Sequence, residues 1–359
     1  MMRLRQLLLG FIAAGMFLIM SAGKAGAGGC TAWRGSGAQP WNGACTRIWD
    51  PRLLGLRRQI VYERIGSRVL TFYLFEWAGR GHRWSPAVVY IHGGALKFGT
   101  GIISAANTPH NHLLVQLERE LIQEHINFIS VNYRLAPAHP WPMPLDDVKH
   151  AMEFIVTHAR RWQIDPRDLA VMGDSAGGEL ASFVGLTMIN ASTHRPLVRA
   201  VVDLFGPTDR QTFAQQWLRH YGLRPNPVYG VYTPKRVQKE SAISHVHPGA
   251  PPFLIIQGTR DRVVPPQQSY LLRERLKRDG VFVEEILVHH AGHELRPVNG
   301  PIHPSLKELG DCINQFLVRH LTLEGESFKF RGQPRALTGG YPPRGATGCR
   351  GSRVEDKPG

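Results

Sequence analysis

The sequence predicts an α/β protein in which a mostly parallel sheet carries helices on both faces. Short apolar runs rich in Val and Ile alternate along the chain with segments of helical periodicity, the order that such a sheet requires. Two of these runs end directly in glycine-rich turns, at 93–94 and 173–178. No internal repeat or interdomain linker interrupts the pattern, so one main domain over residues 51–323 is the simplest organisation.

The predicted elements follow one another along the chain. The strands are 86–91, 126–131, 169–172, 198–204, 252–256 and 281–288, and the helices are 112–125, 147–162 and 305–321. The Asp146–Asp147 pair is expected to open the helix 147–162, because carboxylates there complement exposed N–H groups and the helix dipole. A paired-carboxylate acid/base site at this position is the less favoured alternative.

The first strand, 86–91, ends in His92-Gly93-Gly94-Ala95. This matches the H-G-G-x loop whose backbone amides bind the oxyanion of an acyl-transfer intermediate. A lone loop of this kind is more often a plain glycine turn between a strand and a helix. Its functional interpretation depends on a second motif, which follows 83 residues after His92 at Ser175.

That second motif lies in residues 169–178, where an apolar strand passes into Gly-Asp-Ser-Ala-Gly-Gly and then a helix. A G-x-S-x-G turn between a strand and a helix is the nucleophile elbow of an α/β-hydrolase. The glycines leave room for a sharp, strained turn that would project Ser175 from the carboxyl edge of the sheet. The pattern alone arises by chance in about one chain of this length in ten, so its context matters.

Two later strand ends supply the partners that a serine nucleophile needs. The strand 252–256 leads to Asp261, and the strand 281–288 leads to His289, His290 and His293. We select His293, because it follows a glycine in the loop beyond the strand, where its ring can reach Ser175. The chain order Ser, Asp, His is that of this fold.

These residue types have complementary roles in acyl transfer. His293 would take the hydroxyl proton of Ser175, and Asp261 would fix the tautomer of the imidazole. The oxyanion would be bound by the amides of Gly93, Gly94 and Ala176. The structural alternatives are a helix cap or ion pair for the aspartate and a surface position for the histidine.

With these residues assembled, the chain resembles the esterases and lipases related to hormone-sensitive lipase and the bacterial feruloyl-esterase-like (BD-FAE) carboxylesterases. The resemblance spans roughly residues 57–322, and four segments carry it: 92–95, 133–147, 173–178, and 258–265 with His293. It implies an eight-stranded α/β-hydrolase that hydrolyses carboxylic esters without a metal or cofactor. Ala95 replaces a usual third glycine and Ala138 a usual glutamate. The feruloyl-esterase-like branch tolerates alanine at the first position, which favours that branch.

A long segment between two strands, residues 208–250, is rich in Trp, Tyr, Pro and His, and we expect it to form a cap or lid. Its aromatic residues either line an acyl or aromatic pocket or pack within the cap. They are Phe213, Trp217, Tyr221, Tyr229 and Tyr232.

The two ends of the chain differ in composition from the main domain. Residues 1–27 combine two arginines, an apolar run and an Ala-Gly-Ala site, which predicts a cleaved signal peptide; an uncleaved membrane anchor is the alternative. The protein is therefore expected to be periplasmic or secreted. A Gly-rich lead-in, 28–50, and a disordered basic tail, 324–359, flank the main domain.

Export would permit disulfides, and the positions of the cysteines suggest Cys30–Cys45 and Cys312–Cys349 among the pairings that four cysteines allow. The cysteine spacings do not resemble those of a zinc site. We therefore expect no metal and no cofactor.

The charge is strongly basic, with 43 Lys and Arg against 28 Asp and Glu. This predicts attraction to anionic surfaces, whereas the absence of a nucleic-acid-binding motif argues against nucleic acid as a partner. The expected partner is a small-molecule ester. The function predicted is that of a serine carboxylesterase acting on short-chain or aryl esters through an acyl-Ser175 intermediate. The alternatives are an arylformamidase-like amidase and a catalytically silent binding protein.

Overall fold

A nine-stranded sheet forms the centre of the described part of the protein, which a computed structural model gives for residues 46–50, 55–77, 84–103, 108–221 and 233–321. The strands are β1 (Thr46–Asp50), β2 (Gly55–Ile65), β3 (Arg68–Trp77), β4 (Ser85–Ile91), β5 (Asn127–Val131), β6 (Ile164–Asp174), β7 (Ala200–Leu204), β8 (Phe253–Gly258) and β9 (Val283–Val288). Their spatial order is β1-β2-β3-β5-β4-β6-β7-β8-β9. All these residues belong to one compact unit, 41–359.

The sheet is mostly parallel, as the sequence predicts. Strands β4 to β9 run parallel to one another, whereas β1, β2 and β3 pair antiparallel at one side, and β3 also pairs antiparallel with β5. The resemblance implied eight strands, and β1 adds a further antiparallel edge strand. It occupies residues 46–50, at the end of the predicted lead-in, because these residues pair in register with 55–59 of β2.

Seven helices lie in the described ranges. They are α1 (Pro109–Gln123), α2 (Met143–His158), α3 (Ala176–Thr187), α4 (Arg210–Tyr221), α5 (Pro234–Lys239), α6 (Gln267–Arg278) and α7 (Leu306–Leu321). Alternate residues of the central strands face opposite cores, so that Val89 belongs to the core that includes residues of α2, α3 and α6, and Val88 to the core that includes residues of α1 and α7. Because both faces are covered, β5 and β8 are buried along their whole length and show no polar alternation.

The helix α2 begins earlier than predicted, so the Asp146–Asp147 pair does not open it as expected. It begins at Met143, next to Pro142 and Pro144, and residues 159–162 form a 3-10 turn rather than its last turn. Asp146 lies in the first turn, as expected, but Asp147 does not open the helix. Its carboxylate is fully buried and accepts hydrogen bonds from the backbone N–H and the guanidinium of Arg134. The prolines, which favour the first helical turn, are the signal for the earlier start.

Several sequence-based expectations fall outside the described residues. The leader 1–27, the tail 324–359, Cys30, Cys45, Cys349, Tyr229 and Tyr232 all lie there. Cys312 is buried on α7 and forms a disulfide, and the predicted pairings stay predictions. None of the helices in the described ranges is long and apolar enough to span a bilayer.

Candidate active site

The predicted nucleophile lies at the turn between β6 and α3. Ser175 adopts φ 51° and ψ −120°, a left-handed conformation that is strained for a residue with a side chain. Its backbone N–H donates to Leu204 O at 2.8 Å, which ties the turn to the end of β7. The serine therefore lies at the carboxyl edge of the parallel strands, where ligands of open α/β sheets bind.

The flanking glycines are required by close backbone contacts. A Cβ on Gly173 would lie 2.2 Å from Gly177 O, and one on Gly177 would lie 2.0 Å from Ile91 O. Both distances are far below any van der Waals contact. Side chains at these positions would push α3 away from β4 and β6, so the strained turn depends on both glycines.

The structure brings the three predicted catalytic residues into one hydrogen-bonded chain. His293 Nε2 lies 3.0 Å from Ser175 Oγ, and His293 Nδ1 lies 2.7 Å from Asp261 Oδ2. Asp261 comes from the loop after β8, and His293 from the loop after β9. His289 and His290 are exposed, and neither bonds to the serine within the described residues.

The loop after β8 holds Asp261 firmly. Its side chain is 1% exposed, and its Oδ1 accepts hydrogen bonds from the amides of Val263 and Val264 at 2.8 and 2.9 Å. Gln257 Nε2 donates to Oδ2 at 3.2 Å, and its own Oε1 accepts from Ser269 Oγ. These donors compensate the buried charge and orient Oδ2 toward the imidazole.

In the glycine loop after β4, one of the three predicted oxyanion donors, the amide of Gly93, has a different acceptor. The N–H of Gly93 donates to Asp174 Oδ1 at 2.8 Å, so it is already bonded and points at a carboxylate. Gly94 adopts φ +106°, and a Cβ there would lie 2.2 Å from Phe98 O. Within the described residues, the amides of Gly94 and Ala95 donate to no protein group. Ala176 is the first residue of α3, where the N–H has no helical acceptor.

Asp174, the residue before the nucleophile, connects the two motifs. Besides Gly93, its Oδ1 accepts from the Tyr90 hydroxyl, and its Oδ2 lies 3.5 Å from His110 Nε2. Burial and the neighbouring Asp174 charge hold the pKa of Tyr90 well above its usual range, so the phenol remains a donor. This role of Asp174 was not predicted, although the acidic residue of G-x-S-x-G beside an H-G-G loop was a visible signal in the sequence.

Other side chains around the site were not predicted either. The ring of Phe205 lies 5.2 Å from that of His293, edge to face, and limits its movement. His92 stacks on Tyr133 at 4.3 Å, and the Tyr133 hydroxyl donates to His92 O. Burial lowers the pKa of His92, so its ring is neutral and supports the loop without adding charge.

The helix α4 approaches the same region from the segment between β7 and β8. Phe213 is buried and packs edge to face on Trp217 at 5.9 Å, and Trp217 Nε1 donates to Val263 O at 2.7 Å. Trp217 thus contacts the loop that orients Asp261. The side chain of Tyr221 lies outside the described part of the chain, like those of Tyr229 and Tyr232.

In the ranges that the structure describes, no group of three or more His, Cys, Asp or Glu residues could hold a metal ion.

Comparison with known proteins gives curated relatives that are esterases. Esterase LipC of Mycobacterium tuberculosis is 30% identical over 208 residues, which cover 54% of this chain and 48% of that protein. The probable carboxylic ester hydrolase LipM of the same organism is 30% identical over 179 residues, covering 45% and 41% respectively. The chain thus spans about half the length, or less, of these relatives.

Solved structures give the same fold. A truncated carbohydrate esterase from gut microbiota is 25% identical, with a TM-score of 0.56, and the match covers 74% of this chain and 95% of that one. Esterase 2 of Thermogutta terrifontis, phosphorylated by paraoxon, is 19% identical, with a TM-score of 0.59 and coverage of 75% and 96%. The fold is that of the α/β-hydrolases. The model of the BD-FAE family matches residues 76–276, which include Ser175 and Asp261 and make up more than half of the chain, so this protein belongs to the BD-FAE family.

Proposed function

We propose that this protein is a serine carboxylesterase that hydrolyses short-chain or aryl carboxylic esters through an acyl-Ser175 intermediate. The observation that carries the proposal is the continuous hydrogen-bonded chain from Ser175 Oγ through His293 to buried Asp261, set on a strained elbow. The relatives LipC, an esterase, and LipM, a probable carboxylic ester hydrolase, agree with this reaction class.

The geometry supports a two-step mechanism. Ser175 Oγ attacks the acyl carbon while its proton passes to His293 Nε2, 3.0 Å away. When the tetrahedral intermediate collapses, the bond to the alcohol oxygen breaks, and His293 returns the proton to that oxygen. Water then attacks the acyl-serine with the same imidazole as base, releasing the acid and restoring the serine. Asp261 stabilises the imidazolium that forms in each step.

The oxyanion of each intermediate needs donors other than Gly93. We assign this role to the amides of Gly94 and Ala176, and add that of Ala95, which was not among the predicted donors. The bond from Gly93 to Asp174 anchors the loop, and the next two amides are left without protein acceptors in the described residues. Each such donor typically contributes about 3 kcal/mol to transition-state stabilisation.

The decisive experiment measures hydrolysis of p-nitrophenyl acetate, butyrate and octanoate by the wild type, Ser175→Ala and the control Ser192→Ala. Ser192 is exposed on the loop after α3. We expect Ser175→Ala to lower kcat by at least about 10³-fold and the control to leave it unchanged. The preference among the three esters then shows which length of acyl chain the pocket accepts.

Two outcomes would favour the alternatives. Faster cleavage of N-formyl anilides than of any ester would make the protein an arylformamidase-like amidase. A wild type inactive on esters and anilides alike would overturn the enzymatic proposal and favour a binding protein.

We further propose export with cleavage after residue 27, on the strength of the leader composition. Mass analysis of the protein from an expressing cell tests it, because an intact leader would contradict cleavage.

A further inference from the structure

A cleft of about 470 Å³ lies between α2, α3 and α5, apart from the catalytic residues. Its lining from α3 is Phe183 and Thr187, which are eight and twelve residues beyond Ser175. At 1.5 Å per helical residue, they lie about 12–18 Å along the axis from the nucleophile. None of the residues of the triad or of the oxyanion loop lines the cleft, so it is a separate feature of the surface.

The floor of the cleft is aromatic. Trp141 and Phe183 are both buried, with ring centroids 5.2 Å apart and planes tilted by 50°, and His245 lies 5.4 Å from Phe183. On Trp141 the guanidinium of Arg210 packs 3.7 Å from the ring centroid, which fixes the indole in place. The cleft therefore has a rigid aromatic floor, to which Trp141 and Phe183 contribute the 5% and 2% of their surfaces that remain exposed.

The rim is cationic, and its single acidic residue is already paired. Glu240 bonds to Arg210 at 3.1 Å and to Arg236 at 2.8 Å. Lys149, Lys235 and Lys239 also line the cleft. In the described ranges, none of the three ammonium groups lies within 4.0 Å of a carboxylate.

Lys149 is the most informative of these cations, because it is half-buried at the edge of the aromatic floor. Burial lowers its pKa, and Asp146 and Glu153 of the same helix only partly oppose this effect. An anion that enters the cleft would stabilise the charged form of a half-buried ammonium group that has no contacting carboxylate.

From the aromatic floor and the lysines that contact no carboxylate in the described residues, we infer that the cleft is a binding site for a small aromatic carboxylate. The ring packs on Trp141 and Phe183, and the carboxylate accepts hydrogen bonds from the lysines at the rim. The volume is within the range of small-molecule sites. This inference is independent of the proposed esterase function, since it concerns binding and no residue of the triad.

The test is calorimetric titration of the full-length Ser175→Ala protein with 2-naphthoate, and with the neutral 2-naphthamide as the matched ligand. Ser175→Ala excludes turnover, so the measured heat reports binding alone. We expect 2-naphthoate to bind with a Kd of about 0.1 mM and the amide to bind at least about 10-fold more weakly. Equal affinity for the two ligands, or no binding of 2-naphthoate, would overturn the proposal.

Variants locate the site. A triple variant of the cleft should weaken 2-naphthoate binding by at least about 10-fold, because it removes the charges that recognise the carboxylate. Its substitutions are Lys149→Gln, Lys235→Gln and Lys239→Gln. A control variant removes three positive charges from other exposed positions: Arg68→Gln, Lys277→Gln and Arg278→Gln.

The control should bind within about two-fold of the parent. If both triple variants lose affinity equally, the attraction is only that of the overall charge. If the cleft variant keeps full affinity, the carboxylate binds elsewhere, for example at the active site. Either result would refute the assignment.

Discussion

At the scale of single residues, Asp174 connects the glycine loop after β4 to the turn that carries Ser175. It accepts hydrogen bonds from the amide of Gly93 and the hydroxyl of Tyr90, so it attaches the oxyanion loop to the elbow. We expect Asp174→Ala to lower kcat by about 10²-fold with a smaller change in KM, because the loop loses its anchor and the oxyanion donors lose alignment. Steady-state kinetics on p-nitrophenyl butyrate measure both constants.

The conservative variant separates positioning from charge. Asp174→Asn keeps one oxygen for both donors, so it should recover most of the activity that alanine loses. If asparagine were as slow as alanine, the negative charge rather than the hydrogen bond to Gly93 would be the essential property. If alanine were fully active, the loop would not depend on this anchor.

Asp203 predicts a pH dependence of stability. It is fully buried on β7, with hydrogen bonds from Gly206 N at 2.8 Å and Ser182 Oγ at 3.5 Å, and burial raises its pKa to about 7. An unfolded aspartate titrates near about 4, so between about pH 4 and pH 7 the folded state binds more protons than the unfolded state. The Asp203 contribution to stability is therefore complete below about pH 4 and is lost as the pH rises to about 7.

Asp203→Asn removes this titration while keeping an acceptor. We expect the difference in Tm between the variant and the wild type to shift in favour of the variant between about pH 5 and pH 8. Asp168, whose pKa burial also raises to about 7, contributes in the same direction to both proteins and cancels in the comparison. Asp146→Asn, at an exposed position, is the control. A Tm difference that does not change with pH would contradict the raised pKa.

At the scale of elements, a buried arginine joins α4 to α3. Arg210 is 1% exposed, and its Nε donates to fully buried Glu179 at 2.7 Å, while its Nη1 lies 3.1 Å from Glu240 at the C-terminal end of α5. Removing one partner of a buried ion pair leaves an uncompensated charge, which costs about 3–5 kcal/mol. We expect Arg210→Met to lower the free energy of unfolding by that amount in urea denaturation.

The double variant tests whether the charge is the cause. Arg210→Met/Glu179→Gln should recover most of the lost stability, since Glu240 retains its bond to Arg236. Lys307→Met, which removes an exposed pair with Asp311, should leave the urea midpoint unchanged. If the double variant were no more stable than Arg210→Met, the packing of the guanidinium on Trp141 would be the main contribution of this residue.

Elements were predictable where the pattern was strong and local. The predicted strand 86–91 corresponds to β4, Ser85–Ile91, because a β-branched run bounded by Pro and Gly has one favourable conformation. The boundary of α2 was less predictable, because Asp147 resembles a helix-opening carboxylate in sequence. Its burial against Arg134 depends on a tertiary contact that the local sequence does not contain.

At the scale of the whole molecule, the proximity of Ser175, Asp261 and His293 was predictable, because the chain order of an α/β-hydrolase fixes which strand ends meet. The hydrogen bond from the amide of Gly93 to Asp174 was not predictable, since it depends on how close β4 and β6 bring the loop to Asp174. The aromatic cleft with its lysine rim was also absent from the prediction. Its walls come from α2, α3 and α5, which are distant in sequence and meet only after folding.

The charge of the whole chain leads to a prediction about surfaces. The formal net charge is +15 at pH 7, with a sequence pI near 10.1. Such a protein should bind vesicles that contain phosphatidylglycerol in about 10 mM salt, where the Debye length is about 30 Å, and dissociate in about 1 M salt, where it is about 3 Å. Co-sedimentation of the full chain measures the bound fraction, and phosphatidylcholine vesicles are the control. Binding that persists in about 1 M salt, or equal binding to the neutral vesicles, would mean that apolar contacts rather than net charge hold the protein at the surface.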